Sequence, residues 1–293
     1  MRFLPVIAFF ALGIIWGSNF IYMKLAAHLI SPMQVVFFRI LFGFIPVLLY
    51  AYYSKVLSLS HLKHFRHFII MALLAAVIYY FGFVKGSFLL PSGVAGVLSG
   101  AIPLFSFLLS IIFLKDEKTD KFGFLGLLLG FLGVVTISGI FTWHVESLSI
   151  KGIVYMLSGS LSVGASFVYA KKYIMPLRIP VVALTTYQLG FALLILLFIT
   201  DFDGINRVWS DANTAVGLVL GLGLLGTGLA YIIYYYLIEK FGSIKAASVT
   251  YLPPVVALFI GVVIVGEDIN WVDYISAGLI FLGVYFINRK KSR

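Results

Sequence analysis

Apolar residues in this chain come in long, almost unbroken runs separated by short polar or turn-forming breaks. The hydrocarbon core of a bilayer takes about 20 apolar residues per helical crossing. Ten runs approach that length: Leu4–Met23, Pro32–Tyr53, Phe68–Phe88, Gly93–Leu114, Phe122–Thr142, Ile150–Ala170, Pro180–Thr200, Thr214–Ile238, Ile244–Val265 and Trp271–Asn288. The breaks are too short to hold a soluble domain. Between the third and fourth runs, Lys85, Gly86, Pro91 and Ser92 predict a tight turn. Glycines four apart, at Gly96/Gly100, Gly126/Gly130 and Gly217/Gly221, predict helices that approach closely.

One stretch occurs twice. SGVAGVLSGAIPLFSFLLSIIFLKDE from Ser92 to Glu117 is echoed by SIKAASVTYLPPVVALFIGVVIVGED from Ser243 to Asp268, with Ser99/Thr250 and Pro103/Pro254 both 151 residues apart. A proline inside a helix lacks its N–H and crowds the carbonyl four residues back, here that of Ser99 or Thr250. In hydrocarbon such a carbonyl needs a partner, so irregular backbone is buried in protein or lines a cavity. Pro103 and Pro254 therefore read as hinges and their surroundings as a site. A second echo links Gly17, Phe20, Tyr22 and Lys24 to Gly164, Phe167, Tyr169 and Lys171 at an offset of 147. The predicted fold is all-α and membrane-integral, with ten transmembrane helices in two five-helix repeats, residues 1–142 and 143–293. An odd number of crossings per repeat forces the second to enter the bilayer inverted. The breaks after the proline helices agree, KDEKTDK in one half and EDINWVD in the other. Inverted repeats with discontinuous helices point to alternating access around a midplane site.

Composition removes other classes. With 62% hydrophobic residues, 11% charged residues and a mean hydropathy of +1.09, a water-soluble fold is excluded. The net charge of +10 reads as membrane orientation, not as nucleic-acid binding. With the N-terminus inside, Lys55, Lys63, Arg66, Lys115, Lys118, Lys121, Lys171, Lys172, Arg178, Lys240, Lys245 and the Arg289–Arg293 tail share one side, which makes both termini cytoplasmic. The expected location is a bacterial or archaeal inner (plasma) membrane, spanned many times. The first run continues past Trp16 and Asn19 to Tyr22 and reads as an uncleaved span, not a signal peptide. There is no cysteine, which excludes thiolate chemistry. No acidic residue lies mid-span, and His28, His61, His64, His67 and His144 all read as link residues. No base is then placed to activate a serine inside the bilayer, so an enzyme is not expected. For the same reason, transport is expected to run down a gradient or to couple through an unusual group. No metal or cofactor is expected. The expected partners are a small-molecule substrate and the lipid bilayer; the oligomeric state stays open, and a monomer fits. The dual proline motif argues against a channel, while a sensor on the same scaffold stays open.

Candidate substrate contacts follow. Trp16, Asn19 and Met23 share one helical face, and Asn19 reads equally well as a substrate contact or an interhelical bond. Tyr80 and Phe83 correspond to Tyr231 and Tyr234 at the 151 offset, flanked by Tyr79 and Tyr235. Rings around a cavity hold an apolar or cationic body, although core packing or interface anchoring is the commoner reason for a membrane tyrosine. Arg39 is the one basic residue well inside a run. It reads as a carboxylate-binding group or, with more weight, as a clamp on free carbonyls of a neighbouring helix. Ser99 and Thr250 complete the set.

IIWGSNF at 14–20, FFRILFG at 37–43, the proline helix closing in an acidic pair, and FLGVV at 131–135 echoed by FLGVY at 281–285 resemble the EamA-type branch of the drug/metabolite transporter superfamily over nearly the whole chain. The resemblance implies a ten-helix exporter or permease for small metabolites, in several members amino acids and related compounds, with a central cavity between the halves. Drug or xenobiotic efflux is the alternative on the same scaffold. Tyr79 and Tyr80 stand where some amino-acid exporters of the group carry a histidine.

Overall fold

The computed structural model describes residues 3–90, 98–114, 120–137, 149–253, 255–256 and 271–289. These residues are all-helical apart from short links and turns. The helices are α1 (Leu4–Ala27), α2 (Pro32–Tyr53), α3 (Leu59–Leu89), α4 (Ile102–Phe113), α5 (Lys121–Ile137), α6 (Ile150–Leu177), α7 (Val181–Ile199), α8 (Ala212–Phe241), the short α9 (Ser243–Ala247) and α10 (Trp271–Asn288). Five of them, α2, α3, α6, α7 and α8, are long and apolar enough to cross a membrane, and four shorter apolar helices accompany them. The surface is apolar where a soluble protein would be charged: Phe198 is 89% exposed and Ile112 71%. Such residues are stable only against lipid.

Local chemistry sets the helix starts. Ser31 caps α2 through a reciprocal pair with Gln34: its hydroxyl accepts from the Gln34 N–H, and the Gln34 side-chain oxygen accepts from the Ser31 N–H. Pro32 follows in the first turn, where its missing N–H costs nothing. The Gln34 amide also donates to the carbonyls of Asp201 and Asp203, at 2.8 and 2.7 Å, which fastens α2 to the link after α7. Ser149 caps α6, and Asp211 caps α8.

Packing is close where glycine permits it. The α5–α10 pair meets through Gly126, Gly130 and Gly283: a Cβ on Gly283 would stand 2.5 Å from the Gly130 nitrogen and 2.7 Å from the Gly126 oxygen. Gly217 and Gly221 straddle the Tyr22 ring of α1. Both contacts agree with the glycine spacing. Gly96 lies outside the described residues.

Several boundaries differ from the sequence reading. Lys85 and Gly86 are not in a turn, because α3 continues through them to Leu89, and Gly86 sits against Met156 of α6; Pro91 and Ser92, the rest of the expected turn, lie outside the described residues. That helix also starts earlier than predicted, so His67 is a helical residue whose Nδ1 meets the Tyr169 hydroxyl at 2.6 Å. Pro103 does not interrupt a continuous helix. The chain turns at Gly100–Ala101, and Pro103 is the second residue of α4, a position that tolerates proline because the first N–H groups of a helix have no internal partner. In the second copy, α9 passes into a 3₁₀ turn at Ser248–Tyr251. Pro254 and residues 257–265 of the expected run from Ile244 to Val265 lie outside the described residues.

Three stretches are wound as wide π-helical turns: Leu73–Val77 in α3, Ala170–Ile174 in α6 and Gly217–Leu229 in α8. Wide turns disturb the regular i→i−4 ladder, and in hydrocarbon every carbonyl needs a donor. Side chains supply them. The Ser162 hydroxyl donates to the Leu74 carbonyl at 2.7 Å, Tyr231 donates to that of Ala75, Thr227 to that of Leu222 at 2.8 Å, and Arg39 to that of Gly226 at 3.0 Å.

Candidate substrate cavity

Helices α1, α2 and α3, together with the chain breaks before α4 and after α9, line a partly open cavity of ≈ 30 Å³. Trp16, Asn19, Met23, Arg39, Tyr79, Tyr80, Phe83, Ser99, Ile102, Thr250 and Pro253 line it. Nine of the residues singled out from the sequence therefore meet at one place. A water needs about 10–15 Å³ measured in this way, so the space admits a water or two and no metabolite. Cargo of that size enters only if the surrounding helices separate.

Arg39 dominates the polar side and is only 2% exposed. Its Nε donates to the Thr227 hydroxyl at 2.9 Å and its Nη2 to the Gly226 carbonyl at 3.0 Å. The Asn19 amide is assigned with its oxygen toward the guanidinium, accepting at 2.8 Å, and its nitrogen donating to the Ile15 carbonyl at 3.1 Å. The guanidinium carbon lies 3.8 Å from the centre of the Tyr80 ring, a desolvated cation–π contact of about 2 kcal/mol. Nη1 meets only the Met23 sulfur, at 3.6 Å, a weak acceptor. The clamp foreseen as the bland role of Arg39 is therefore present. It grips the wide turn of α8, not a proline kink. No carboxylate is among the described residues that line the cavity.

The aromatic wall is one continuous stack. Tyr79 lies 4.7 Å from both Tyr80 and Phe83, centre to centre. The Trp16 indole N–H is buried without a hydrogen-bond partner, as is the hydroxyl of Tyr80. A buried unsatisfied donor costs about 1–3 kcal/mol, so each calls for an explanation. Thr250 contributes the surface of its side chain, since its hydroxyl already donates to the Ala247 carbonyl at 2.8 Å.

Three expected contacts are not at the cavity. Tyr231 is 6.4 Å from Tyr80, ring to ring, and its hydroxyl donates to the Ala75 carbonyl. Tyr234 shares a hydrogen bond of 2.9 Å with Ser166, and Tyr235 donates to the side-chain oxygen of Gln188. Their rings fill the core between α8 and its neighbours, and each hydroxyl has found a protein partner. The duplicated pattern marked them as cavity contacts, with core packing as the commoner role; the packing role is the one observed, and the partners of their hydroxyls lie far away in sequence. Sequence reasoning passed over Ile102 and Pro253, each the residue before one of the marked prolines. It also missed Thr227 and Gly226, which no local pattern ties to Arg39.

The EamA-like transporter family matches residues 3–139 and again 150–289. Among curated relatives, the uncharacterized transporter YoaV of Bacillus subtilis (strain 168) is 26% identical over 93% of this chain and 92% of its own length. The uncharacterized inner membrane transporter YedA of Escherichia coli (strain K12) is 27% identical, over 99% of this chain and 94% of its own. A solved crystal structure superposes with a TM-score of 0.74 at 17% identity, covering 97% of this chain and 96% of that one, a likeness of fold. With both halves of its sequence matched, the chain belongs to the EamA-like transporter family and is a multi-pass membrane transporter.

Proposed function

We propose that the protein moves small metabolites, such as amino acids or related amphipathic compounds, by alternating access of the cavity to the two sides of the membrane. One observation carries this reading. The cavity lies where the two sequence halves meet: Trp16 through Ile102 come from the first half, and Thr250 and Pro253 from the second. A space walled by both halves opens to one side or the other when they rock. A repeat of two five-helix halves, the second inverted by its odd number of crossings, draws support from the double family match and from the backbone, since Leu73–Val77 shifted by 151 residues falls at 224–228, inside the π-helical stretch Gly217–Leu229. Rocking would concentrate at the breaks beside Gly100–Ala101 and Ser248–Tyr251, with Pro103 and Pro254 as flanking hinges. Both termini would face the cytoplasm.

The test is exchange in proteoliposomes. Vesicles holding the purified protein and loaded with unlabelled amino acids or aromatic metabolites should accumulate labelled counterpart transiently, and empty vesicles should not. Absence of exchange over a broad panel, with the protein shown to be folded, rejects the reading.

A further inference from the structure

We infer that the cavity selects an anionic cargo, a small carboxylate joined to an aromatic or branched apolar body, and rejects the matching amine. This rests on the transport reading and narrows its cargo from amino acids to related amphipathic compounds that carry a carboxylate and no ammonium group. The argument starts from the hydrogen-bonding groups of the residues that line the cavity. Trp16 Nε1 can only donate, and it is buried without an acceptor. Arg39 Nη1 can only donate, and the weak thioether of Met23 is its one acceptor. The Tyr80 hydroxyl, which can donate or accept, is buried beside that of Tyr231 without a well-formed hydrogen bond. The strongest acceptor present, the side-chain oxygen of Asn19, already faces Arg39. The polar side thus has a surplus of donors, and among the described residues that line the cavity no carboxylate neutralises the Arg39 charge.

A buried cation without a counter-ion and donors without acceptors are both costly. A carboxylate satisfies both at once, whereas an ammonium would add a second positive charge in a low-dielectric space and offer only donors. Trp16, Arg39 and Tyr80 are 5%, 2% and 1% exposed, so water does little to relieve them in this arrangement. The rings of Tyr79 and Phe83 and the side chain of Ile102 provide the apolar surface for the rest of the molecule.

Three isosteric probes separate the chemistries: 3-phenylpropionate, 3-phenylpropylamine and 3-phenylpropanol, each titrated against the purified full-length protein by thermal shift and calorimetry. The carboxylate should bind at least tenfold more tightly than the amine, with the alcohol between them. Trp16→Phe keeps a ring and removes the N–H; it should weaken the carboxylate roughly tenfold, the fold-change for losing a hydrogen bond to a charged group, and leave the alcohol within a factor of three. Tyr80→Phe should act in the same direction while keeping a ring against Arg39, and its unliganded melting temperature reports whether the fold survived. An amine bound as tightly as the carboxylate, no carboxylate binding, or a carboxylate affinity unmoved in both variants overturns the assignment. Counterflow on the same samples separates the two claims. Carboxylate binding without exchange sinks the transport reading and leaves the donor site standing; exchange of the amine in preference to the carboxylate sinks the donor site and leaves transport standing.

Discussion

Thr227→Val is the sharpest probe of the Arg39 clamp. The Thr227 hydroxyl accepts from Arg39 Nε at 2.9 Å and donates to the Leu222 carbonyl at 2.8 Å, so valine keeps the shape and removes both bonds. Interhelical hydrogen bonds in membranes average about 0.6 kcal/mol. Bonds to a charged group are worth about 1.5–3 kcal/mol, and Arg39 is buried at 2% exposure, so the charged value applies here. Arg39 keeps the Gly226 carbonyl, the Asn19 oxygen and the Tyr80 ring, which holds the expected loss near about 2 kcal/mol, without collapse of the site. Thr227→Ser retains the hydroxyl and loses one methyl, about 0.8 kcal/mol. The assay is reversible unfolding in mixed detergent micelles titrated with dodecyl sulfate. A loss for valine at or below about 0.6 kcal/mol, or one equal to that for serine, refutes the clamp as a significant tie between α2 and α8.

Gly283→Ala should destabilise by about 1–3 kcal/mol in the same unfolding assay, because its Cβ would meet the backbone of α5 at Gly126 and Gly130. Gly278→Ala, with nothing within 4 Å, should be neutral or slightly stabilising. Tyr234→Phe removes the hydrogen bond to Ser166 at a cost of about 0.6 kcal/mol, and cargo affinity should not change because this ring is not at the cavity. Hydrogen bonds from the Thr214 hydroxyl and then the Thr214 N–H hold the Asp211 carboxyl below its usual range. Because the folded value is depressed, the stabilisation is complete above the ordinary aspartate range and is lost as pH falls through the folded value. Asp211→Asn should therefore flatten the acid side of the stability profile, as read by melting temperature against pH.

Sequence spacing located the cavity because two of its causes are local. Asn19 and Trp16 share a helical face, and the proline motif marks where Ser99 and Thr250 leave regular helix. It misjudged the form of the break, since Gly100–Ala101 turns the chain before Pro103 and lets the proline open a new helix. Arg39 was legible as buried, but its partners were not. They arise from the wide winding of Gly217–Leu229, in a stretch whose glycines say only that packing is close. Tyr231, Tyr234 and Tyr235 show the same limit. Burial can be read from their neighbours in the chain, whereas the acceptors Ala75 and Gln188 and the hydroxyl of Ser166 are set by tertiary packing. The place of His67 turned on where α3 begins, a boundary that an unbroken apolar run does not mark.

The central claim is that one cavity between the halves communicates with both sides of the membrane in turn. The chain contains no cysteine, so Ser99→Cys places a single thiol at the cavity wall. In oriented membrane vesicles, a membrane-impermeant maleimide should label this thiol from either face, and a transported cargo should change the labelling rate on both. Labelling from one face only, whatever cargo is present, in protein that still catalyses exchange, would contradict the account.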